Sequence, residues 1–314
     1  MPWLWISLGV FALVCVALLV AFYCYRRVFY SPPRKQTDEI DFVMPDGDDY
    51  DAYRDAMIEW VKWARSLPHE DCSVLSYDGL TLRAKYYECE KGAPIELLFH
   101  GYRGDGERDL SAGIERCFAL KRNVLIVDQR ASGRSDGNTI TFGVKEKFDC
   151  LTWVNFVNEH FGTDTQLLIS GVSMGAATVV MAAAEELPDN VLCVLADCGY
   201  TSAEEMIKKV IAGMKLPVKL TYPFVWLGAR IFGNFNLSKA RPLDAVDKCR
   251  IPILFIHGGA DKYVPAEMSQ RMYERYQGKK GLKFIDGAGH GLAYPVNKQA
   301  YLKTVAEFEK EWKK

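Results

Sequence analysis

Residues 166–175, Gln-Leu-Leu-Ile-Ser-Gly-Val-Ser-Met-Gly, place a serine between two glycines directly after a run of apolar residues. The run predicts a buried strand, and the small residues from Ala176 onward suit a buried helix. A Gly-x-Ser-x-Gly motif between a strand and a helix is typical of a nucleophile elbow, which exposes the serine hydroxyl. Side chains at Gly171 and Gly175 would crowd so sharp a turn. We therefore predict that Ser173 is a nucleophile, the alternative being a plain turn serine.

An activated serine needs a base and an acid, and both follow downstream. The apolar stretch 253–257 runs into Gly258-Gly259-Ala260-Asp261, and the stretch 282–285 runs into Asp286-Gly287-Ala288-Gly289-His290. A neutral imidazole takes the serine proton during attack, and a carboxylate fixes the tautomer of the ring. We predict Asp261 as the acid and His290 as the base. The chain order Ser, Asp, His is that of α/β-hydrolases, not that of chymotrypsin or subtilisin.

The developing oxyanion needs two hydrogen-bond donors, which the sequence also supplies. The apolar stretch 95–99 runs into His100-Gly101-Tyr102-Arg103-Gly104, the position of the loop that carries one donor. We predict the backbone N–H of Tyr102 as this donor. The second is the backbone N–H of Met174, directly after the nucleophile.

Other residues of the same types compete for the acid and base roles. The competing acids are Asp128 and Asp197, which follow other apolar strands. The remaining histidines fit structural roles better, because they lie ahead of the domain, in the oxyanion loop, at the end of a helix or inside a strand; they are His69, His100, His160 and His257.

With these motifs, the chain resembles α/β-hydrolases of the serine aminopeptidase-like group (S33) and α/β-hydrolase-domain (ABHD) proteins with an N-terminal membrane anchor. The resemblance covers residues 72–312 and also rests on the segments 128–137 (Asp-Gln-Arg-Ala-Ser-Gly-Arg-Ser-Asp-Gly) and 258–265 (Gly-Gly-Ala-Asp-Lys-Tyr-Val-Pro). It implies an α/β-hydrolase fold, with a mostly parallel, eight-stranded sheet and helices on both faces. Gln129, Ala131 and Ala176 depart from residues common in relatives, which bears on substrate preference.

The rest of the domain alternates strand and helix patterns, with two exceptions. Asp78-Gly79, between apolar stretches 74–77 and 80–88, predicts an opening antiparallel hairpin. The segment 203–236 is rich in apolar residues and interrupts the alternation. In the hydrolase fold it would form a small helical lid, whose apolar faces either line an acyl-binding pocket or only pack on the sheet.

The N-terminus differs from the rest of the chain. Trp3 to Tyr25 is apolar and uncharged, long enough to span a bilayer as a helix. Because no basic residue precedes this run, a retained anchor is favoured over a cleaved signal peptide. The basic residues that follow it predict a single-pass cell-membrane protein with a cytoplasmic enzyme domain; they are Arg26, Arg27, Arg34 and Lys35.

Three regions follow from these patterns. Residues 1–27 are the predicted transmembrane anchor, residues 28–70 a linker with an amphipathic helix, and residues 71–314 the hydrolase domain. The helix is expected where Tyr53, Met57 and Trp60 recur at helical spacing.

Composition and cysteine usage limit the partners. The net charge of −1 shows no basic excess, so nucleic-acid binding is not expected. Seven of the nine cysteines lie beyond the anchor, an odd number without metal-type spacing, which fits a reducing compartment. Among them, Cys198 is interpreted as a core residue, with a reactive thiol as the alternative. The sequence shows no metal or phosphate-binding motif, so neither a metal nor another cofactor is expected.

We therefore predict a membrane-anchored serine hydrolase that cleaves a carboxylic ester through an acyl-enzyme. Its expected substrate is a small-molecule or lipid-like acyl compound. A peptidase, a thioesterase or an acyltransferase would use the same triad, because only the leaving group and the acceptor differ. A non-catalytic binding protein of the same fold is the alternative from another class. The sequence leaves the oligomeric state open.

Overall fold

The computed structural model of the chain describes residues 2–32 and 47–312, without the side chains of Pro2, Asp48 and Trp312. The strands are β1 (Glu70–Leu75), β2 (Thr81–Tyr87), β3 (Ile95–Phe99), β4 (Asn123–Asp128), β5 (Leu167–Val172), β6 (Val191–Asp197), β7 (Ile253–Gly258) and β8 (Lys280–Ile285). The α-helices are α1 (Pro2–Val28), α2 (Asp48–Asp51), α3 (Arg54–Ser66), α4 (Gly106–Ala119), α5 (Glu146–Phe161), α6 (Met174–Ala182), α7 (Ala203–Gly213), α8 (Val218–Ile231), α9 (Pro242–Ala245), α10 (Glu267–Arg275), α11 (Ala293–Val296) and α12 (Lys298–Trp312).

The strands form one eight-stranded sheet in the order β1-β2-β4-β3-β5-β6-β7-β8. Strand β2 pairs antiparallel with both β1 and β4, and the remaining neighbours are parallel. The predicted α/β-hydrolase fold and the opening hairpin are thus confirmed. Strands β3 to β7 are almost wholly buried, as expected of parallel strands that helices cover on both faces.

The strand order brings the predicted functional loops together. Strands β3 and β5 are parallel neighbours, with Phe99 opposite Gly171, so the loops after them leave the sheet side by side. Strands β6, β7 and β8 continue in the same direction. The loops that carry the predicted acid and base therefore leave from the same edge, as is usual for sites in open α/β sheets.

Helix α1 is the one helix in the described part of the chain that is long and apolar enough to cross a membrane, over Trp3–Val28. Length and composition alone support this, and a signal sequence near an N-terminus would meet the same criterion. Most of its side chains are exposed, but Ala21, Cys24 and Tyr25 in its last turns are buried.

The residues after α1 pack directly on the hydrolase domain. Phe29 is fully buried, and the Ile140 N–H donates to its carbonyl oxygen over 2.8 Å. Tyr30 and Thr139 form an antiparallel bridge. Residues 28–32, which the sequence assigned to a linker, are therefore fixed to the domain, and the linker positions 33–46, with Arg34 and Lys35, lie outside the described residues.

The amphipathic helix of the predicted linker is α3. Trp60, Val61 and Ala64 are its buried residues, and it packs against α4. The short helix α2 precedes it and lies over the carboxyl edge of the sheet, where the Tyr50 hydroxyl donates to the His290 carbonyl over 2.9 Å. The segment before α3 therefore takes part in the surroundings of the predicted base.

Candidate active site

Ser173 lies at the turn between β5 and α6. Its φ of 57° and ψ of −114° are strained for a residue with a side chain, as expected at a nucleophile elbow. A Cβ on Gly171 would lie 2.2 Å from the Gly175 carbonyl carbon, and a Cβ on Gly175 would lie 2.0 Å from the Phe99 carbonyl oxygen. Both positions therefore require glycine, as the sequence motif predicts.

The structure brings Ser173, His290 and Asp261 into one chain of hydrogen bonds. His290 Nε2 lies 2.9 Å from Ser173 Oγ, and His290 Nδ1 lies 2.7 Å from Asp261 Oδ2. A carboxylate on Nδ1 keeps the proton there and leaves Nε2 free to accept the serine proton. The geometry is that of a nucleophile, a base and an acid in sequence.

Asp261 is held by more donors than the histidine alone. Its Oδ1 accepts the backbone N–H groups of Tyr263 and Val264 over 2.9 and 2.8 Å. Burial by itself would raise the pKa of the Asp261 carboxyl, but hydrogen bonds from His257, His290 and Val264 hold that pKa well below its ordinary value. Asp261 is therefore ionised at neutral pH.

A second histidine, His257, also contacts Asp261. The ring is fully buried, its Nδ1 lies 2.7 Å from Ser269 Oγ, and its Nε2 lies 3.0 Å from the Val264 carbonyl and 3.2 Å from Asp261 Oδ2. The carbonyl can only accept, so the proton sits on Nε2 and Nδ1 accepts from the serine hydroxyl. A structural role for His257 was predicted from the sequence, but its contact with Asp261 was not.

The loop after β3 lies beside the nucleophile, as predicted. A Cβ on Gly101 would lie 3.6 Å from Ser173 Cβ, which places this backbone against the serine. His100 Nε2 accepts the Gln129 backbone N–H over 3.0 Å, and its Nδ1 lies 2.7 Å from the Gly101 carbonyl. His100 thus shapes the loop that carries Tyr102. Met174 is the first residue of α6, directly after Ser173, so its backbone N–H has no acceptor within the helix.

The competing carboxylates are engaged elsewhere. Asp128 accepts the backbone N–H groups of Gly106 and Arg134 over 2.8 and 3.0 Å, which ties two loops together. Asp197 accepts the Tyr301 hydroxyl over 3.0 Å, and burial raises its pKa to about 6. Neither carboxylate makes a hydrogen bond with His290 among the contacts of the described residues.

A cleft of about 650 Å³ opens over Ser173 and His290. Its walls carry side chains from the loops after β3 and β7, from the first turn of α4 and from residues 47–57; the charged ones are Asp49, Arg108, Asp109 and Lys262. No described residue of the segment 203–236 lines it. Of the two roles expected for this segment, packing is the one seen: Met206, Ile207 and Val225 pack in a cluster that includes Phe29 and Met174.

One group of side chains at the site could hold a metal ion. Ligand atoms of Cys198, Asp261 and His290 lie within 4.8 Å of one another. A metal needs the Cys198 thiolate, but burial raises the pKa of this thiol well above its ordinary value. Asp261 and His290 already form a hydrogen bond with each other, at 2.7 Å.

Comparisons with known proteins assign the chain to a family. The sequence model of the prolyl oligopeptidase family matches residues 138–314, which include Ser173, Asp261 and His290. This is more than half of the chain, and the chain therefore belongs to that family, within the α/β-hydrolase superfamily.

Individual relatives extend the comparison. The uncharacterised protein YqkD of Bacillus subtilis is 32% identical over 187 residues, which span 59% of this chain and 61% of the relative's length. The esterase Pf2001 of Pyrococcus furiosus superposes with a TM-score of 0.67 at 22% identity, over 90% of this chain and 98% of that one. Est1E of Butyrivibrio proteoclasticus, solved with ferulic acid bound, gives 0.59 at 24% identity over 77% and 98%. At these identities the structures establish the fold alone.

Proposed function

We propose that the chain is a membrane-anchored serine hydrolase that cleaves carboxylic esters through an acyl-enzyme. The observation that carries the proposal is the position of His290, which lies within hydrogen-bond distance of both Ser173 Oγ and Asp261 Oδ2. A binding module of the same fold has no need of a strained serine, an imidazole and an ionised carboxylate in this order. The grouping with S33 and with anchored ABHD proteins remains a prediction.

In this mechanism Ser173 Oγ attacks the ester carbonyl while His290 Nε2 takes its proton. The imidazolium, stabilised by Asp261, returns the proton to the leaving alcohol. The backbone N–H groups of Tyr102 and Met174 stabilise the oxyanion, and loss of one such donor typically costs about 3 kcal/mol. Water then attacks the acyl-enzyme, with His290 again as base, and releases the acid. No cofactor is invoked at any step.

The cleft limits the substrate more than the motif does. Its volume of about 650 Å³ lies in the range of small-molecule sites. Charged side chains of both signs lie beside apolar ones such as Met57 and Tyr263, and Arg108 is paired with Asp109 over 2.6 Å. This mixture suits an ester with an apolar acyl part and a polar headgroup, such as a lipid-like compound.

A fluorophosphonate probe tests the nucleophile, because it reacts with activated serines. We expect the full chain to be labelled and the Ser173→Ala variant to remain unlabelled. A folded wild-type chain that stays unlabelled would exclude the serine hydrolase. p-Nitrophenyl esters of increasing acyl length then define the acyl preference.

A peptidase is the second candidate, because the family to which the chain belongs is named for oligopeptide cleavage. Aminoacyl anilides distinguish it from an esterase. Hydrolysis of anilides at rates matching those of esters would favour the peptidase, since amides are much poorer substrates for an ordinary esterase.

The membrane placement has its own test. Arg26 and Arg27 follow the apolar run, which favours a cytoplasmic hydrolase domain. We expect protease added to intact cells to leave the domain uncut. Digestion of the domain from outside would reverse the proposed orientation.

A further inference from the structure

The large apolar side chains that remain exposed outside α1 are concentrated in one hairpin. Ten such side chains occur among the described residues, and six of them belong to helices α7 and α8 and the turn between them, here called the α7–α8 hairpin (residues 203–231); these are Val210, Met214, Leu216, Leu220, Trp226 and Ile231. Leu220 and Met214 are 65% and 60% exposed. Isolated apolar residues on a surface need no explanation, but a concentration of this kind marks an interaction site.

The charge of the hairpin is as uneven as its hydrophobicity. Residues 203–231 contain five cationic side chains and two acidic ones, and both acids, Glu204 and Glu205, lie in the first turn of α7, although the whole chain carries a net charge of −1. Lys215 and Lys219 are exposed and flank the apolar turn. On α8, Leu220, Phe224 and Ile231 recur at helical spacing. Apolar residues on one helix face with lysines beside them are typical of helices that lie in the interface of an anionic bilayer.

Helix α8 packs against the end of α1. A Cβ on Gly228 would lie 2.5 Å from the Ala21 carbonyl oxygen, so the backbones of α8 and α1 touch. The rings of Phe232 and Phe22 lie 5.1 Å apart, edge to face. Ala21 and Phe22 belong to the last turns of the apolar run of α1, and α8 is therefore level with the end of the predicted span.

We propose that the α7–α8 hairpin is a second membrane contact, which rests its apolar turn and its lysines on an anionic lipid surface beside α1. The proposal rests on the membrane anchoring proposed above. Together with α1, the hairpin would hold the domain in one orientation on the bilayer, and the carboxyl edge of the sheet, with Ser173, would stay at the surface.

Site-directed spin labels test the contact in the full chain. The partly exposed Cys15 and Cys89 are first replaced by serine, and one cysteine is then introduced at a time. Leu220→Cys reports on the hairpin and Leu13→Cys on the middle of α1. Gln277→Cys is the matched control, because it is exposed and lies before β8, at the opposite edge of the sheet. Met214→Cys replaces Leu220→Cys if that variant does not fold.

The chain is reconstituted in vesicles of phosphatidylcholine with phosphatidylglycerol, and each label is exposed to oxygen and to a water-soluble nickel complex. We expect oxygen, which concentrates in lipid, to reach the labels at positions 13 and 220 several-fold better than nickel does, and nickel to dominate at position 277. In the double variant Lys215→Gln/Lys219→Gln, the ratio of lipid-bound to unbound label at position 220 should fall by roughly thirtyfold, as expected for two lysines near an anionic surface.

The outcomes separate the two proposals. If position 13 is lipid-accessible but position 220 resembles position 277, the hairpin proposal is overturned and the anchor stands. If position 13 is open to nickel, both fail. If position 220 is shielded from both reagents and shows coupling between spins, the surface is an interface between two copies of the chain and the lipid contact is overturned.

Discussion

Replacement of Asp261 by asparagine should nearly abolish activity while leaving the fold intact. Oδ1 of Asp261 accepts two backbone N–H groups, from Tyr263 and Val264, so the oxygen of an asparagine amide must occupy that position. The reverse orientation would cost two hydrogen bonds, at least about 2 kcal/mol. The amide nitrogen therefore faces His290 Nδ1, now 2.7 Å from Oδ2, and donates to it.

This donation moves the imidazole proton to Nε2, which lies 2.9 Å from Ser173 Oγ and can then no longer accept the serine proton. The expected loss in kcat is about 10⁴-fold, as for a triad with the wrong tautomer, and this corresponds to about 5.5 kcal/mol of transition-state stabilisation. The assay is hydrolysis of p-nitrophenyl acetate by the full chain in detergent, with the rate of fluorophosphonate labelling as a second readout.

Asp197→Asn is the matched control, because Asp197 is also a buried carboxylate at a strand end. It should change kcat by only a few-fold. Thermal unfolding shows whether each variant is folded. Retention of more than a tenth of the activity by folded Asp261→Asn, or an equal loss in Asp197→Asn, would refute the assignment of the acid.

Three further predictions follow from single contacts. Gly175→Ala would place a Cβ 2.0 Å from the Phe99 carbonyl oxygen and should destabilise the fold by at least about 2 kcal/mol, as measured by thermal unfolding. Gly213→Ala is the matched control, because a Cβ there meets nothing within 4 Å, and it should not destabilise the fold. Burial raises the pKa of Asp197 to about 6, above its unfolded value, so ionisation of Asp197 destabilises the fold as pH rises from about 4 to 6. In Asp197→Asn the temperature of unfolding should therefore vary less with pH over that range. The free energy of unfolding of this variant at neutral pH should be higher by up to about 3 kcal/mol. Tyr102→Phe removes the 2.6 Å hydrogen bond from the Tyr102 hydroxyl to the Val28 carbonyl at the end of α1. It should lower kcat several-fold at unchanged KM and lower the free energy of unfolding by about 1 kcal/mol. An unchanged kcat would show that this bond does not position the loop.

The sequence predicted the fold and the set of candidate site residues because both depend on local patterns. The apolar runs ending at Phe99, Val172 and Gly258 are strands, and the loops after them carry the residues chosen for chemistry. Gly171 and Gly175 are needed because a side chain at either position would collide within the turn itself or with the neighbouring strand. Such constraints are visible without knowing the rest of the fold.

Contacts between distant segments were not predictable in this way. The bond from the Tyr50 hydroxyl to the His290 carbonyl joins residues 240 positions apart, and nothing in the acidic stretch around Tyr50 distinguishes it from a linker. The contact of His257 with Asp261 spans only four positions, but it depends on the conformation of the loop after β7, which no periodicity reports. Hydrogen bonds of this kind follow from the assembled fold, not from periodicity or spacing.

The largest difference between the sequence-based expectation and the structure concerns the end of helix α1. The last carbonyl groups of a helix lack partners within it, and at the end of α1 two of them accept from the loop after β3: Tyr102 donates to Val28 over 2.6 Å, and Arg103 donates to Arg27 over 2.9 Å. The same loop carries the proposed oxyanion donor. If α1 spans the bilayer, the height of Ser173 above it is therefore set by a rigid contact and not by a flexible tether. A hydrolase held in this way meets substrates that reside at the membrane surface, which is the physical reason to test lipid-like esters first.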